Sequence, residues 1–263
     1  MIYRSTHKIT KNNRTDINKP NEDFLICEDK IKLYIVADGV TRPHDEYNII
    51  SQDSLAGEIT KKFCNNVRNL VEKYYNDLDE KNIEKYLKSI IVNSNNDLQD
   101  YYKHNFFPPS ISFLLCLIYN DKMYFYNNCD TIGIILRKGA KIQFTTRYNY
   151  SVKKEKKYTK REIYKLLYNG DLSDSYPMIN GDTRFNDYIY ISSIAIEQND
   201  KIVLSSDGLY EFLLSTNYNV LYNESIDEYF NRSLKYDNPP YNNYADDKSC
   251  IVVEVDAETS KSQ

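Results

Sequence analysis

Lys30-Ile31-Lys32-Leu33-Tyr34-Ile35-Val36-Ala37-Asp38-Gly39-Val40 alternates at first, turns apolar and then meets an Asp-Gly pair. That pattern predicts a buried strand running into a turn. A carboxylate set into an apolar run needs water, a positive group or a metal ion nearby, because burying it unpaired is expensive. The same construction returns at Leu204-Ser205-Ser206-Asp207-Gly208-Leu209. Acidic pairs also border apolar segments at Asn21-Glu22-Asp23 and at Asp246-Asp247-Lys248-Ser249, ahead of Ile251-Val252-Val253. Oxygen ligands from carboxylates, a Gly carbonyl and water are what Mg2+ or Mn2+ prefer, and two such ions a few ångströms apart can hold and activate a hydroxide. Any one Asp-Gly is an ordinary turn. Their recurrence at distant places in the chain argues for a shared site.

Outward from this strand, Leu55, Ile59, Phe63, Val67, Leu70, Val71 and Tyr74 recur at helical spacing and predict one long amphipathic helix. A second is predicted through Ile83, Leu87, Ile90, Ile91, Leu98 and Tyr101. Short apolar or alternating runs follow at Ile111 to Tyr119, Met123 to Asn128, Ile132 to Leu136 and Ile142 to Thr146. Asn120-Asp121 and Lys138-Gly139 separate the first from the second and the third from the fourth with hairpin chemistry, so an antiparallel meander is expected. Tyr148 to Asp187 is a polar insertion, in which Thr159-Lys160-Arg161-Glu162 reads as a capping box opening a short helix. Ile202 to Ser205 is expected as a strand after an Asn199-Asp200 turn, Ile226 to Leu234 as a late helix and Cys250 to Val255 as a last strand. Strands, then two helices, then strands again predict an α+β protein rather than a regular βαβ alternation.

Composition bounds the function. At 263 residues one domain is the expectation. With 41% apolar and 27% charged residues but only 7 Gly and 7 Pro, neither a disordered protein nor a collagen-like repeat fits. A net charge of −4 gives no general footprint for nucleic acid. The longest apolar run, Phe113 to Tyr119, is far short of the roughly 18 residues of a membrane span. MIYRSTHKITKNNR has no apolar core of a secretory signal, so a soluble protein off the membrane is expected. Cys27, Cys64, Cys116, Cys129 and Cys250 are scattered, without zinc-site spacing, and suit reduced core thiols of a cytoplasmic protein. The abundant Tyr, Asn, Ile and Lys are read as base composition rather than function.

Taken in order, the four acidic segments resemble the PPM-type, or type 2C, metal-dependent protein serine/threonine phosphatases over nearly the whole chain. Ser110-Ile111-Ser112-Phe113 is similar to that family's Gly-Ser-Thr-Ala strand start. Asn127-Asn128-Cys129-Asp130-Thr131 is similar to its Asn-x-Gly-Asp-Ser turn. The resemblance implies one α+β domain, a four-layer α-β-β-α sandwich of two antiparallel sheets flanked by helices, with a metal site at one edge between the sheets. It implies that Asp38 bridges two metal ions, that the Gly39 carbonyl binds one of them, and that Asp207 and Asp246 complete the first site. Glu22 would serve the second ion and Asp23 would orient bound water, while Asp130, with Asp207 and Glu211, matches a weaker third-metal site. The implied activity is that of a cytoplasmic signalling hydrolase. Water acidified by two Mn2+ or Mg2+ ions attacks phosphoserine and phosphothreonine on protein substrates, and no covalent phosphoenzyme is required. A monomer is expected, with 148–187 as the variable flap that touches substrate.

Departures from the family pattern bear on phosphate binding. Asn18 stands where the resemblance implies an Arg that grips the substrate phosphate, and Lys19 beside it is a candidate substitute as a point charge, without the bidentate fork. Arg42, in Val40-Thr41-Arg42-Pro43, is a second candidate for that role. Cys129 replaces a turn Gly, and Asp247 replaces an Asn. The intact carboxylates favour an enzyme, whereas Asn18 favours a non-catalytic, metal-binding or partner-binding module of the same fold. His7, His44 and His104 lack metal-ligand spacing and read as surface residues, His44 being the one candidate proton donor to a leaving alkoxide. Ser205 and Ser206 lack the elbow of a nucleophilic serine. Lys153-Lys154-Glu155-Lys156-Lys157 and Lys160-Arg161 are either a solvated face or a dock for acidic phosphoprotein segments; RNA and lipid headgroups would suit the same charges.

Overall fold

The structure is a computed structural model in which residues 1–10, 20–40, 54–104, 109–145, 178–209, 224–236 and 246–257 are described. Its strands are β1 (Ile2–Thr10), β2 (Phe24–Glu28), β3 (Leu33–Val40), β4 (Ser110–Tyr119), β5 (Lys122–Asn128), β6 (Ile132–Arg137), β7 (Ala140–Gln143), β8 (Ser192–Ala195), β9 (Lys201–Ser205) and β10 (Lys248–Asp256). The α-helices are α1 (Leu55–Tyr74), α2 (Ile83–Asn96), α3 (Gln99–His104) and α4 (Ile226–Tyr236). One antiparallel sheet runs β1-β10-β9-β6-β7 and the other β2-β3-β4-β5-β8.

Strand periodicity builds the layers. On β3, Leu33, Ile35 and Ala37 point to a core shared with Ile59, Phe63 and Val67 of α1, while Tyr34 and Val36 point to a core between the sheets. Both faces of β3 are therefore covered, which is why Leu33 to Ala37 form an unbroken apolar run. On β10, Ile251 and Val253 join the core between the sheets, and Cys250 and Val252 pack with Tyr229 and Phe230 of α4. Helices thus cover the outer faces of both sheets, giving the four-layer α-β-β-α order. Ser54 caps α1, accepting from the Gly57 amide.

Two sequence expectations need correction. The helix expected through Ile83 to Tyr101 is broken: α2 stops at Asn96, and α3 begins at Gln99. The break falls in Asn93-Ser94-Asn95-Asn96-Asp97, residues whose short polar side chains compete with helical hydrogen bonds. At the break the Asn95 side chain bonds the polar insertion instead, accepting from Gly181 N at 2.9 Å and donating to Asp182 O at 3.0 Å. The expected meander is the second correction. Asn120-Asp121 and Lys138-Gly139 make the β4-β5 and β6-β7 hairpins, all four residues at positive φ. Between β5 and β6, however, the chain leaves one sheet for the other. Strands β1, β2 and β8 were not expected from the sequence; all three lie at sheet edges, where polar residues are tolerated. The end of the polar insertion packs on the fold, with a bridge between Ile179 and Ile111 and a 3-10 turn over Thr183–Tyr188 that buries Phe185. The capping-box segment and the basic cluster lie outside the described residues.

Candidate metal centre

The alternation that builds the core also places the acids. Continuing Tyr34 and Val36 by two, Asp38 falls on the face of β3 between the sheets, beside its register partner Ser112 on β4. The sheet change puts Asp130 at the same edge. Its backbone N–H and that of Thr131 donate to Ser112 Oγ at 3.4 and 3.2 Å, so β4 holds the crossing loop. Asn128 pins the loop from the other side, accepting from Phe113 N at 2.7 Å and donating to Ile111 O at 3.0 Å. From the second sheet, β9 ends at Ser205, and Asp207 opens a buried 3-10 turn. Carboxylate oxygens of Asp38, Asp130 and Asp207 all lie within 4.8 Å of one another.

Glu22 and Asp23, just ahead of β2, form the neighbouring wall. Glu22 is buried, its Oε1 accepts from Ser54 Oγ, and its N–H donates to Asp247 Oδ2 at 3.0 Å. The Gly39 N–H donates to Glu22 O at 3.2 Å. A Cβ on Gly39 would stand 2.9 Å from that oxygen, so the close approach requires glycine. Asp246 Oδ1 accepts from Asp247 N at 2.8 Å; Asp246 is outside the trio, although its charge reaches both Asp23 and Asp38. Lys19, Arg42, His44, Asn18 and Glu211 lie outside the described residues. The parts that sequence reasoning missed are Ser54, the bond between Glu22 and Asp247, and the sheet crossing. A Ser directly before a periodic apolar run signals a helix cap, but nothing local signals its bond to Glu22.

The acids at this edge act on one another through charge. Burial pushes the Asp38 carboxyl well above the usual carboxylate range, and the charges of Asp23, Asp207, Asp246 and Asp130 push the same way. Burial likewise raises Asp23 to about 7; Ser206 and Ser249 pull it down, and Asp247 and Asp246 push it up. Asp23 is 6% exposed, and the Ser206 and Ser249 hydroxyls face its carboxylate. Buried, all-oxygen donors that repel one another fit hard divalent cations. Asp38, Asp130 and Asp207, with Glu22 and Asp246 beside them, are the residues that could hold such ions.

Sequence comparison matches the chain to no protein-family model and to no curated protein. Solved structures do match. The serine/threonine phosphatase of S. agalactiae superposes with a TM-score of 0.66 at 16% identity, covering 97% of this chain and 100% of its own. The PPM Ser-Thr phosphatase MsPP from Mycobacterium smegmatis gives 0.62 at 13%, covering 97% and 98%. The catalytic domain of the phosphatase PstP, solved in complex with two manganese ions, gives 0.63 at 15%, covering 97% and 99%. The chain has the PPM serine/threonine phosphatase fold. In this PPM fold the acidic trio sits where β3, the β5-β6 crossing and the end of β9 converge, at one edge between the sheets.

Proposed function

We propose that the chain is a metal-dependent hydrolase that removes phosphate from phosphoserine and phosphothreonine on proteins. The observation that carries the reading is the convergence of Asp38, Asp130 and Asp207 within 4.8 Å, on a fold whose solved examples are phosphatases. Asp38, Gly39, Asp207 and Asp246 would hold one Mn2+ or Mg2+ ion and share Asp38 with a second at Glu22, while Asp130 would serve a weaker third. Divalent cations, when bound, supply the acidity that turns water into a nucleophile and the positive charge that phosphoryl oxygens need. The chain's own residues set the geometry. Ser54 and Asp247 fix Glu22, Ser112 fixes the Asp130 loop, and Asp23 faces Ser206 and Ser249 as the group that orients water. Lys19 and Arg42 are proposed to meet the phosphate, the insertion at 148–187 to act as a flap for phosphoprotein docking, and the protein to work as a cytoplasmic signalling monomer. Asn18 favours a second reading, a metal-binding regulatory module without turnover.

The deciding measurement is manganese-dependent phosphate release from p-nitrophenyl phosphate and a phosphothreonine peptide, with Asp207→Ala alongside. Release by the wild type and its loss in the variant are expected. Equal rates in the two proteins would overturn the assignment, and manganese binding without release would favour the regulatory module.

A further inference from the structure

Lys248 opens β10 and is among the largest side chains that the fold buries, at 1% exposed. An ammonium group so far from bulk water is costly unless its protons meet acceptors. Its register partner is Thr10 on β1, and alternation along β10 places it on the same face as Cys250 and Val252, which pack with α4. Packing on that face needs only an apolar stem, which methionine or leucine would supply without a buried charge. The tip of the side chain does something that neither could. Nζ turns back along the chain and donates to Asp246 O at 3.3 Å. Other contacts hold the same short loop: Asp246 Oδ1 accepts from Asp247 N at 2.8 Å, Asp247 Oδ2 accepts from Glu22 N at 3.0 Å, and Asp247 O packs against Gly208. Those contacts secure Asp247 and the near oxygen of Asp246, whereas the bond from Lys248 secures the Asp246 peptide. A fixed peptide fixes the direction of the Cα–Cβ bond, and so where the second carboxylate oxygen of Asp246 points.

We propose that Lys248 is a positioning residue for the metal centre: its buried ammonium holds the Asp246 carbonyl and thereby aims the Asp246 carboxylate at the cation that Asp38 and Asp207 would also hold. The proposal rests on the metal-centre reading above. Lys248 touches neither the ion nor the substrate in this role; it acts through Asp246, as groups behind a metal ligand commonly do.

Manganese alone serves as the probe, with calorimetric titration and thermal melts of the full chain. Lys248→Met keeps the apolar stem and removes the donor, so manganese affinity should fall about tenfold or more. Its melting temperature in chelator should equal or exceed that of the wild type, because an apolar side chain of similar volume replaces a buried charge. Lys248→Gln, whose amide is one atom too short to reach the carbonyl, is the second variant should the methionine protein fold poorly. Asp246→Ala removes the carboxylate but leaves the carbonyl. In that background Lys248→Met should change manganese affinity, or the rise in melting temperature that manganese produces, by less than about twofold. Manganese affinity within about twofold of wild type in Lys248→Met, or variants that unfold or melt lower in chelator with binding intact, would make Lys248 a packing residue and overturn the proposal. The same holds if the full loss recurs in the Asp246→Ala background, since Lys248 would then act by another route. All of these outcomes leave the metal-centre reading standing, whereas a wild type that binds no manganese overturns both.

Discussion

Asp38 and Asp207 face each other from different sheets, so each should be needed for the cation and neither for folding. Asp207→Ala is expected to abolish manganese binding and phosphate release while leaving the metal-free melting temperature equal or higher, because it removes one of several mutually repelling buried acids. Calorimetric manganese titration and a thermal melt check both halves. Asp130→Asn should separate binding from turnover, keeping the tight ions while slowing release across manganese concentrations. Asp247 should matter through Glu22. Its Oδ2 accepts from the Glu22 N–H at 3.0 Å, so Asp247→Ala should weaken manganese binding by about 10- to 100-fold. Asp247→Asn keeps an oxygen acceptor and should bind within a few-fold of wild type; equal losses in the two variants would show that charge, not the hydrogen bond, is what Asp247 contributes. Glu22, Asp38, Asp207 and Asp246 could be found in the sequence because they border apolar runs, and Asp130 because its turn resembles a family motif. The roles of Asp247 and Ser54 could not, because their bonds to Glu22 span 225 and 32 residues and leave no periodic trace.

At the level of elements, the site depends on two places where backbones touch. Gly39 meets Glu22 O, and a Cβ on Gly208 would fall 2.0 Å from Asp247 O, closer than any real contact. Gly208→Ala should therefore push the start of β10 away from the 3-10 turn at Asp207, costing about 2 to 4 kcal/mol and misplacing Asp207 against Asp38. Urea unfolding with a manganese titration tests this, and a variant as stable as the wild type would mean that the loop before β10 yields freely. The same scale explains what the sequence concealed. The β4-β5 and β6-β7 turns could be read because Asn-Asp and Lys-Gly pairs suit positive φ. The crossing between β5 and β6 was concealed within the expected meander, because residue spacing alone does not distinguish pairing within a sheet from passage between two. The insertion's packed end was concealed for a related reason: Asn95 and Gly181 recognise each other across 86 residues.

For the whole molecule, the two sheets meet over apolar side chains but carry carboxylates at one edge, so folding without cations works against charge repulsion there. The sign of the pH dependence follows from the raised carboxyls. Asp23 moves from 3.8 to about 7 on folding, and Asp38 also rises, so between those values the native state binds more protons than the unfolded chain. Stability then falls as pH rises from about 4 toward 7, by at most about 1.4 kcal/mol per pH unit for each such group. Cations oppose the trend, because they bind the ionised acids in the native state and stabilise it by mass action. Metal-free protein should accordingly melt higher at pH 5.5 than at pH 8, and saturating manganese should raise the melting temperature far more at pH 8 than at pH 5.5. Melts in chelator and in manganese at both pH values make the test. A metal-free protein that melts higher at pH 8 would mean that other groups outweigh this cluster, and a manganese effect equal at both would mean that the ion does not draw on Asp23 or Asp38.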